Sequence, residues 1–273
     1  MRRDVVLSEF GLISWQLRGT KSPVPDAPDL PEPRQATGFA DLKKQLSRET
    51  PHETSHEKTR EKTQAKEEVF SPGAFSDTRG QRIAQLSWND FAADVAACTA
   101  CDLCKTRTKA VPGVGDVHAR WLFVGEGPGA EEDKKGEPFV GQAGRLLDQM
   151  LAALGMKRGS DVYIANVLKC RPPNNRAPTP QEADACRPYL ERQIALIAPK
   201  IIVALGKSAA MLLLNTDASI ASLRGRGHRY QETPLVVTYH PAYLLRSPAD
   251  KAKSWEDLVF AKRTLGNVSA AQQ

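Results

Sequence analysis

Apolar runs in the second part of the chain alternate with segments of helical periodicity. Four runs rich in Val, Ile and Leu are typical of strands: 120–127, 161–170, 200–206 and 234–241. Apolar residues at helical spacing fill the intervening and following segments: 142–155, 179–199, 207–214 and 255–265. Strands that are almost continuously apolar and alternate with helices indicate a parallel sheet covered on both faces. The pattern therefore predicts an α/β fold with a mainly parallel sheet.

The first part of the chain lacks such a pattern. The segment "KSPVPDAPDLPEPR" is rich in proline, and residues 47–68 contain almost no apolar side chains. A segment of this kind cannot bury enough surface to offset the entropy lost on ordering. We therefore expect a disordered linker over 19–84, a folded domain over 85–267 and a short tail over 268–273.

Charge is distributed unevenly along the chain. The net charge is +6, with −1 over residues 1–97 and +7 over residues 98–273. A basic folded part favours a polyanionic partner. The chain has no apolar run of membrane-spanning length, and Asp4 and Glu9 interrupt the apolar stretch at the N-terminus. We expect a cytoplasmic monomer that does not bind a membrane.

Polar side chains lie at the ends of three of the expected strands. Glu126, next to Gly127, is at the end of the first, Asn166 lies near the end of the second, and His240 is at the end of the fourth. Ligands bind at the carboxyl ends of strands in an open parallel sheet, so these groups are candidates for one site. Taken singly, His240 also fits a structural histidine, and Asn166 also fits a turn or capping residue.

A glycine-rich loop, "GEGPGAEEDKKGEPFVGQAG", connects the first strand to a helix. It matches neither the dinucleotide fingerprint nor the Walker A pattern. Four of its acidic residues would repel a phosphate: Glu126, Glu131, Glu132 and Asp133. The loop fits better as one that places a carboxylate beside a cation-like substrate. Phe139 in this loop fits either core packing or stacking on a ring.

The cysteine spacing indicates a metal site. Cys98 and Cys101 form a CxxC pair, and Cys170 and Cys186 supply a second, distant pair. In a cytosolic protein four such thiolates suit zinc or an iron–sulfur cluster. Spacing alone does not separate the two, because Cys104 makes a second CxxC with Cys101. All four positions would be filled by protein, which favours a structural role.

The segments "GEGPGAEEDKKGEPFVGQAG", "NVLKCRPPNNRAP" and "HPAYLLR", together with the cysteines, resemble the iron–sulfur (family 4) uracil-DNA glycosylases from about Cys98 to Leu265. The resemblance implies a three-layer α/β/α sandwich around a four-stranded parallel sheet. It also implies a [4Fe–4S] cluster, with zinc as the alternative occupant, and it leaves Cys104 outside the ligand set. The implied cluster ligands are Cys98, Cys101, Cys170 and Cys186.

The same resemblance implies roles in excising uracil from DNA. The implied catalytic residues are Glu126 and His240, with Asn175 helping to hold a water molecule. The implied uracil-binding residues are Gly127, Glu132, Phe139 and Asn166, with Phe139 stacking on the base and Glu132 excluding the 5-methyl group of thymine. The implied DNA contacts are Leu244 or Leu245, inserted into the base stack, and Arg246 on a phosphate. The Leu-Leu pair also fits a helix start that packs on the core.

Three other functions are alternatives to this interpretation, and the sequence gives a reason against each. A DNA-binding iron–sulfur module without catalysis would keep the fold, but it leaves the acidic loop and His240 without a role. A glycosylase variant that traps itself on DNA through a histidine is disfavoured, because "CRPPNNRAPTP" has none. A nucleotide hydrolase is disfavoured by the missing phosphate-binding motif.

The N-terminal segment "LSEFGLISWQLR" resembles the N-terminal segment of the psi subunit of bacterial replicative clamp loaders. The resemblance covers about a dozen residues and implies that residues 1–18 dock onto clamp-loader subunits. A fraying N-terminal helix is the alternative interpretation.

Overall fold

The computed structural model describes residues 78–270. The docking peptide, most of the expected linker and the end of the tail therefore lie outside the described residues. The helices are α1 (Thr78–Ala84), α2 (Trp88–Ala97), α3 (Ala130–Lys135), α4 (Gln142–Ala153), α5 (Pro180–Ile197), α6 (Lys207–Leu214), α7 (Ile220–Leu223), α8 (Pro241–Arg246) and α9 (Lys251–Ala270). The strands are β1 (Val114–Gly115), β2 (Trp121–Gly125), β3 (Val162–Asn166), β4 (Ile201–Leu205), β5 (Gly227–Tyr230) and β6 (Thr233–Thr238).

The strands form one sheet in the order β1-β3-β2-β4-β6-β5. The four inner strands are parallel, as the apolar runs predict, and β1 and β5 are antiparallel strands at the two edges. The expected α/β fold and its four parallel strands are confirmed. Within residues 78–270 the two edge strands bring the number of strands in the sheet to six. The apolar pattern did not predict the edge strands, because neither contains an apolar run. Strand β1 has two residues, and β5 is "GHRY", whose residues alternate between exposed and half-buried.

Alternate residues of β2 point to opposite faces of the sheet, and both faces are covered by helices. Leu122 and Val124 belong to an apolar cluster that includes residues of α5 and α6, such as Leu190 and Ala209. On the other face, Phe123 packs in a cluster with residues of α4 and α9. These two clusters make the three-layer α/β/α sandwich.

Helix α1 requires a correction to the expected linker boundary. Its Ile83 is fully buried in a third cluster with Phe91, Val95 and Tyr189. Residues 78–84 therefore belong to the folded domain, although their short helix carries few apolar side chains. The stretch 78–270 contains no helix that is both long and apolar enough to cross a membrane.

Candidate active site and cysteine cavity

A cavity of about 430 Å³ lies where β2, β3 and β6 end. The register of the sheet pairs Gly125 at the end of β2 with Asn166 at the end of β3, so the loops that follow start at the same level. The cavity is lined by fifteen residues, which are Glu126, Gly127, Pro128, Gly129, Glu132, Phe139, Ala143, Asn166, Pro172, Asn175, Arg176, His240, Ala242, Tyr243 and Arg246. The structure thus brings the acidic loop, the asparagines and the histidine together.

Glu126 is the first residue after β2. Its Oε2 accepts a hydrogen bond from the hydroxyl of Ser208 at 2.5 Å. Its backbone carbonyl accepts from the amide of Leu168 at 3.0 Å, which ties the residue to the loop after β3. Ser208, in the first turn of α6, was missed by the sequence analysis, although it follows the strand β4 at the same edge of the sheet.

Asn166 is almost completely buried, with 2% of its surface exposed. Neither its Oδ1 nor its Nδ2 has a hydrogen-bond partner among residues 78–270, and both atoms are buried beside the cavity. A side chain on Gly125 would fill this space, because its Cβ would lie 2.5 Å from Asn166 Oδ1 and 2.6 Å from Phe139 Cζ. An unpaired buried amide costs about 1–3 kcal/mol, so this side chain is poised to pair with a ligand.

Phe139 is held in an uncommon backbone conformation, with φ of 55°. Its ring stacks on His240 with the centroids 5.4 Å apart. Arg158 donates to the carbonyls of Pro138 and Phe139, both at 2.8 Å. The Phe139 carbonyl lies against Gly144, where a Cβ would come within 1.7 Å of it. The ring is thus fixed through its backbone, by Arg158 and by a helix position that only glycine can fill.

His240 is the N-cap residue of α8, and its Nδ1 accepts a hydrogen bond from the amide of Ala242 at 3.1 Å. Burial lowers the pKa of His240 to about 4, with a further lowering from the positive charge of Arg246 and an opposing effect from Glu132. The ring is therefore neutral near pH 7. Because Nδ1 accepts, the single proton lies on Nε2, which leaves one N–H donor.

Glu132 lines the cavity, and both of its carboxylate oxygens accept backbone hydrogen bonds. Oε1 accepts from the amides of Val140 and Gly141 at 2.9 and 3.0 Å, and Oε2 accepts from Gly129 at 3.1 Å. This carboxylate therefore braces the loop that carries Phe139. The local sequence pattern did not predict this bracing.

Asn175 also lines the cavity, in a left-handed conformation with φ of 53°. Its Oδ1 accepts from Arg171 Nε at 2.7 Å, so its amide nitrogen is the group left to face a ligand.

The two leucines of α8 have different environments. Leu244 is 1% exposed and packs in the interior, whereas Leu245 is 42% exposed. The expectation that either leucine could enter DNA is therefore corrected for Leu244, for which the packing alternative holds. Arg246 is exposed at the rim of the cavity.

A second, small cavity is lined by sulfur. All five cysteines border it, including Cys104, which the sequence analysis left outside the ligand set. Within residues 78–270, no three His, Cys, Asp or Glu side chains are grouped closely enough to hold a single metal ion. The thiols surround a space and come from three segments: the segment after α2, the first part of the loop after β3, and α5.

Basic groups surround these thiols. Arg107 donates to Cys170 Sγ at 2.9 Å and to the carbonyl of Cys98 at 3.0 Å, and Arg79 donates to Cys98 Sγ at 3.5 Å. The buried amine of Lys169 also borders the cavity and donates to the carbonyl of Asn166 at 2.8 Å. Burial raises the pKa of Cys170, and the Arg107 hydrogen bond opposes this effect, so the arginine favours the thiolate that a bound metal group needs.

Comparison with known proteins identifies the family of this chain. The model of the uracil DNA glycosylase superfamily matches residues 112–259. A type-4 uracil-DNA glycosylase of Archaeoglobus fulgidus is 47% identical over 170 residues, which cover 59% of this chain and 85% of that protein. One of Thermotoga maritima is 48% identical over 172 residues, 62% of this chain and 89% of that protein. A type-5 uracil-DNA glycosylase of Thermus thermophilus is 37% identical over 118 residues, 38% of this chain and 53% of that protein. With these matches, the chain belongs to the uracil-DNA glycosylase superfamily and, within it, to the type-4 family.

Proposed function

We propose that this protein hydrolyses the N-glycosidic bond of deoxyuridine in DNA, releasing uracil and leaving an abasic site. The observation that carries the proposal is the single cavity that joins the Glu126 carboxylate, the unpaired Asn166 amide and the neutral His240 ring. A base inside a duplex cannot reach such a cavity, so the deoxyuridine must leave the stack.

Recognition of uracil follows from Asn166 and Phe139. The Asn166 amide donates to uracil O4 and accepts from N3–H. In the same orientation, it would meet an amino group and a bare N3 in cytosine, which leaves two mismatched pairs. Phe139 stacks on the base. Gly127 leaves room for the base because glycine has no side chain. The braced carboxylate of Glu132 cannot move aside for the 5-methyl group of thymine.

Bond cleavage separates charge into an oxocarbenium-like sugar and a uracil anion. His240 donates its Nε2–H to uracil O2 and stabilises the anion, as an oxyanion hole does. Glu126 stabilises the sugar cation and orients the attacking water, which Asn175 helps to hold. Each such group is typically worth on the order of 10²–10³ in rate.

The protein's basic surface and α8 provide the DNA contacts. Residues 98–273 carry a net charge of +7, which attracts DNA without reading its sequence. Leu245 is exposed on α8, the helix whose Tyr243 and Arg246 line the cavity. It inserts into the stack where the uracil has left, and Arg246 neutralises a flanking phosphate.

The cysteine cavity holds a [4Fe–4S] cluster through Cys98, Cys101, Cys170 and Cys186. Thiols spread around a cavity suit a cluster of several atoms better than one zinc ion, whose ligands all lie about 2.3 Å from it. The hydrogen bonds from Arg79 and Arg107 to sulfur support an anionic occupant. The cluster supplies a cross-link between the three segments that carry the cysteines.

The test is cleavage of a labelled oligonucleotide that contains one deoxyuridine, followed by alkali. Wild-type protein, Glu126→Ala and His240→Ala are compared, with a thymidine oligonucleotide as the matched substrate control. We expect wild type to cut only the uracil strand, and each variant to lower the rate about 10²–10³-fold with nearly unchanged DNA binding. An uncut strand, from protein with its full iron content, would instead support the non-catalytic binding module.

A further inference from the structure

We infer that Ser208 is a positioning residue that fixes the carboxylate of Glu126 for catalysis; the inference rests on the proposed function. The Ser208 hydroxyl donates to Glu126 Oε2 at 2.5 Å, and both residues are half-buried. No other residue in 78–270 donates a hydrogen bond to this carboxylate. Ser208 does not line the cavity, so it acts on the reaction through Glu126 and not on the substrate.

The sheet order explains why this serine reaches the site. Strand β4 lies between β2, which leads to Glu126, and β6, which leads to His240. The turn after β4 contacts both neighbours. Gly206 has φ of 91°, its amide donates to the carbonyl of Thr238 at 2.9 Å, and a Cβ on it would lie 2.9 Å from the Cβ of His240. Two residues later, Ser208 meets Glu126. One short turn therefore sets the separation of the two proposed catalytic groups.

The chemistry of the contact assigns different tasks to the two carboxylate oxygens. A hydrogen bond to a charged acceptor is stronger than one between neutral groups, and it stops the carboxylate from rotating. With Oε2 held by Ser208, Oε1 is left to face the sugar or the attacking water. A reacting group must be held within about 0.5 Å of its productive position, so loss of this anchor should slow the chemical step more than it weakens binding.

The experiment uses the full chain with its metal site loaded and compares Ser208→Ala, Ser208→Thr and the control Ser222→Ala. Ser222 has an exposed hydroxyl in α7 that bonds only within its own turn. We measure the single-turnover rate on the deoxyuridine oligonucleotide and the Kd for an oligonucleotide with an uncleavable deoxyuridine analogue. Ser208→Ala should lower the rate about tenfold with Kd unchanged. Ser208→Thr keeps the hydroxyl and should stay within about threefold of wild type, as should the control.

A double-variant cycle separates positioning from a general structural effect. In a Glu126→Ala background, Ser208→Ala should change the rate less than about twofold, because its target is gone. A full tenfold loss in that background, or a Ser208→Thr rate as low as that of Ser208→Ala, would overturn the inference. So would a wild-type rate for Ser208→Ala. If Glu126→Ala itself cuts at the wild-type rate, the proposed role of Glu126 fails, which is a distinct result.

Discussion

The protonation state of His240 gives a quantitative test of the site. Burial lowers its pKa to about 4, with Arg246 adding to the effect and Glu132 opposing it. At pH 6 a histidine with this pKa is only about 1% protonated, whereas one with the usual pKa of about 6.5 is about three-quarters protonated. Acidification from pH 8 to pH 6 should therefore leave the Nε2–H donor of His240 unchanged.

The assay is NMR of the protein with ¹⁵N-labelled histidine, in which the two ring nitrogens report tautomer and charge. The chain has five histidines, so the His240→Gln variant identifies the signals of His240 by their loss. We expect the Nε2–H tautomer and no titration of this ring between pH 8 and pH 5. A midpoint near 6.5 would show that the ring becomes charged in this pH range. A proton on Nδ1 would leave Nε2 unable to donate to the uracil anion. Either result would refute the reasoning.

The same shift has a consequence for stability. Between pH 6.5 and pH 4 the unfolded chain binds a proton at His240 that the folded protein does not, so stability falls as the pH is lowered through this range. The shift sets an upper limit of about 3 kcal/mol for this loss. Chemical denaturation gives the free energy of unfolding at pH 7 and at pH 5. The difference between the two values should be smaller for His240→Gln than for wild type, and equal differences would contradict the assignment.

Three further predictions concern other parts of the chain. Leu244→Ala should lower the free energy of unfolding by about 2–5 kcal/mol, while Leu245→Ala should leave it nearly unchanged and slow uracil excision from duplex DNA; equal effects on stability would contradict the assignment. Cys186→Ser should contain less iron per protein molecule and should melt at a lower temperature, because α5 loses its cross-link. Cys104→Ser should keep its iron. Loss of iron in both variants would add Cys104 to the ligand set. A peptide of residues 1–25 should capture clamp-loader subunits, and Trp15→Ala should abolish capture; no binding at micromolar concentration would end the docking proposal.

The inner sheet was predictable from sequence because buried parallel strands are continuously apolar. Phe123 and Ile202 have apolar neighbours on both sides in the chain, and this pattern needs no knowledge of tertiary contacts. The edge strand β5 was not predictable in the same way. Its residues alternate between exposed and half-buried, and pairing with β6 is what makes it a strand. Helix α1 likewise depends on the packing of Ile83 in a cluster that includes Tyr189, which is distant in the sequence.

The candidate site was predictable where residues follow strand ends, as Glu126, Asn166 and His240 do. The supporting residues were not predictable from local pattern. Arg158 reaches the Phe139 loop from the turn after α4, and nothing in its neighbourhood signals that contact. Ser208 did carry a signal, because it follows a predicted strand at the same edge, but a serine near a helix start also fits a capping residue. The difference between Leu244 and Leu245 required the orientation of α8 on the core.

The unpaired amide of Asn166 has a consequence for what happens after the reaction. Its two buried polar atoms gain their hydrogen bonds when a base with the matching edge enters, and released uracil still has that edge. A ligand that binds only the folded state stabilises it by an amount that grows with the logarithm of ligand concentration. In the proposed mechanism, the amide that selects the substrate therefore also holds the product. Free uracil should raise the melting temperature of the protein and compete with DNA for the cavity, so that turnover slows wherever uracil accumulates.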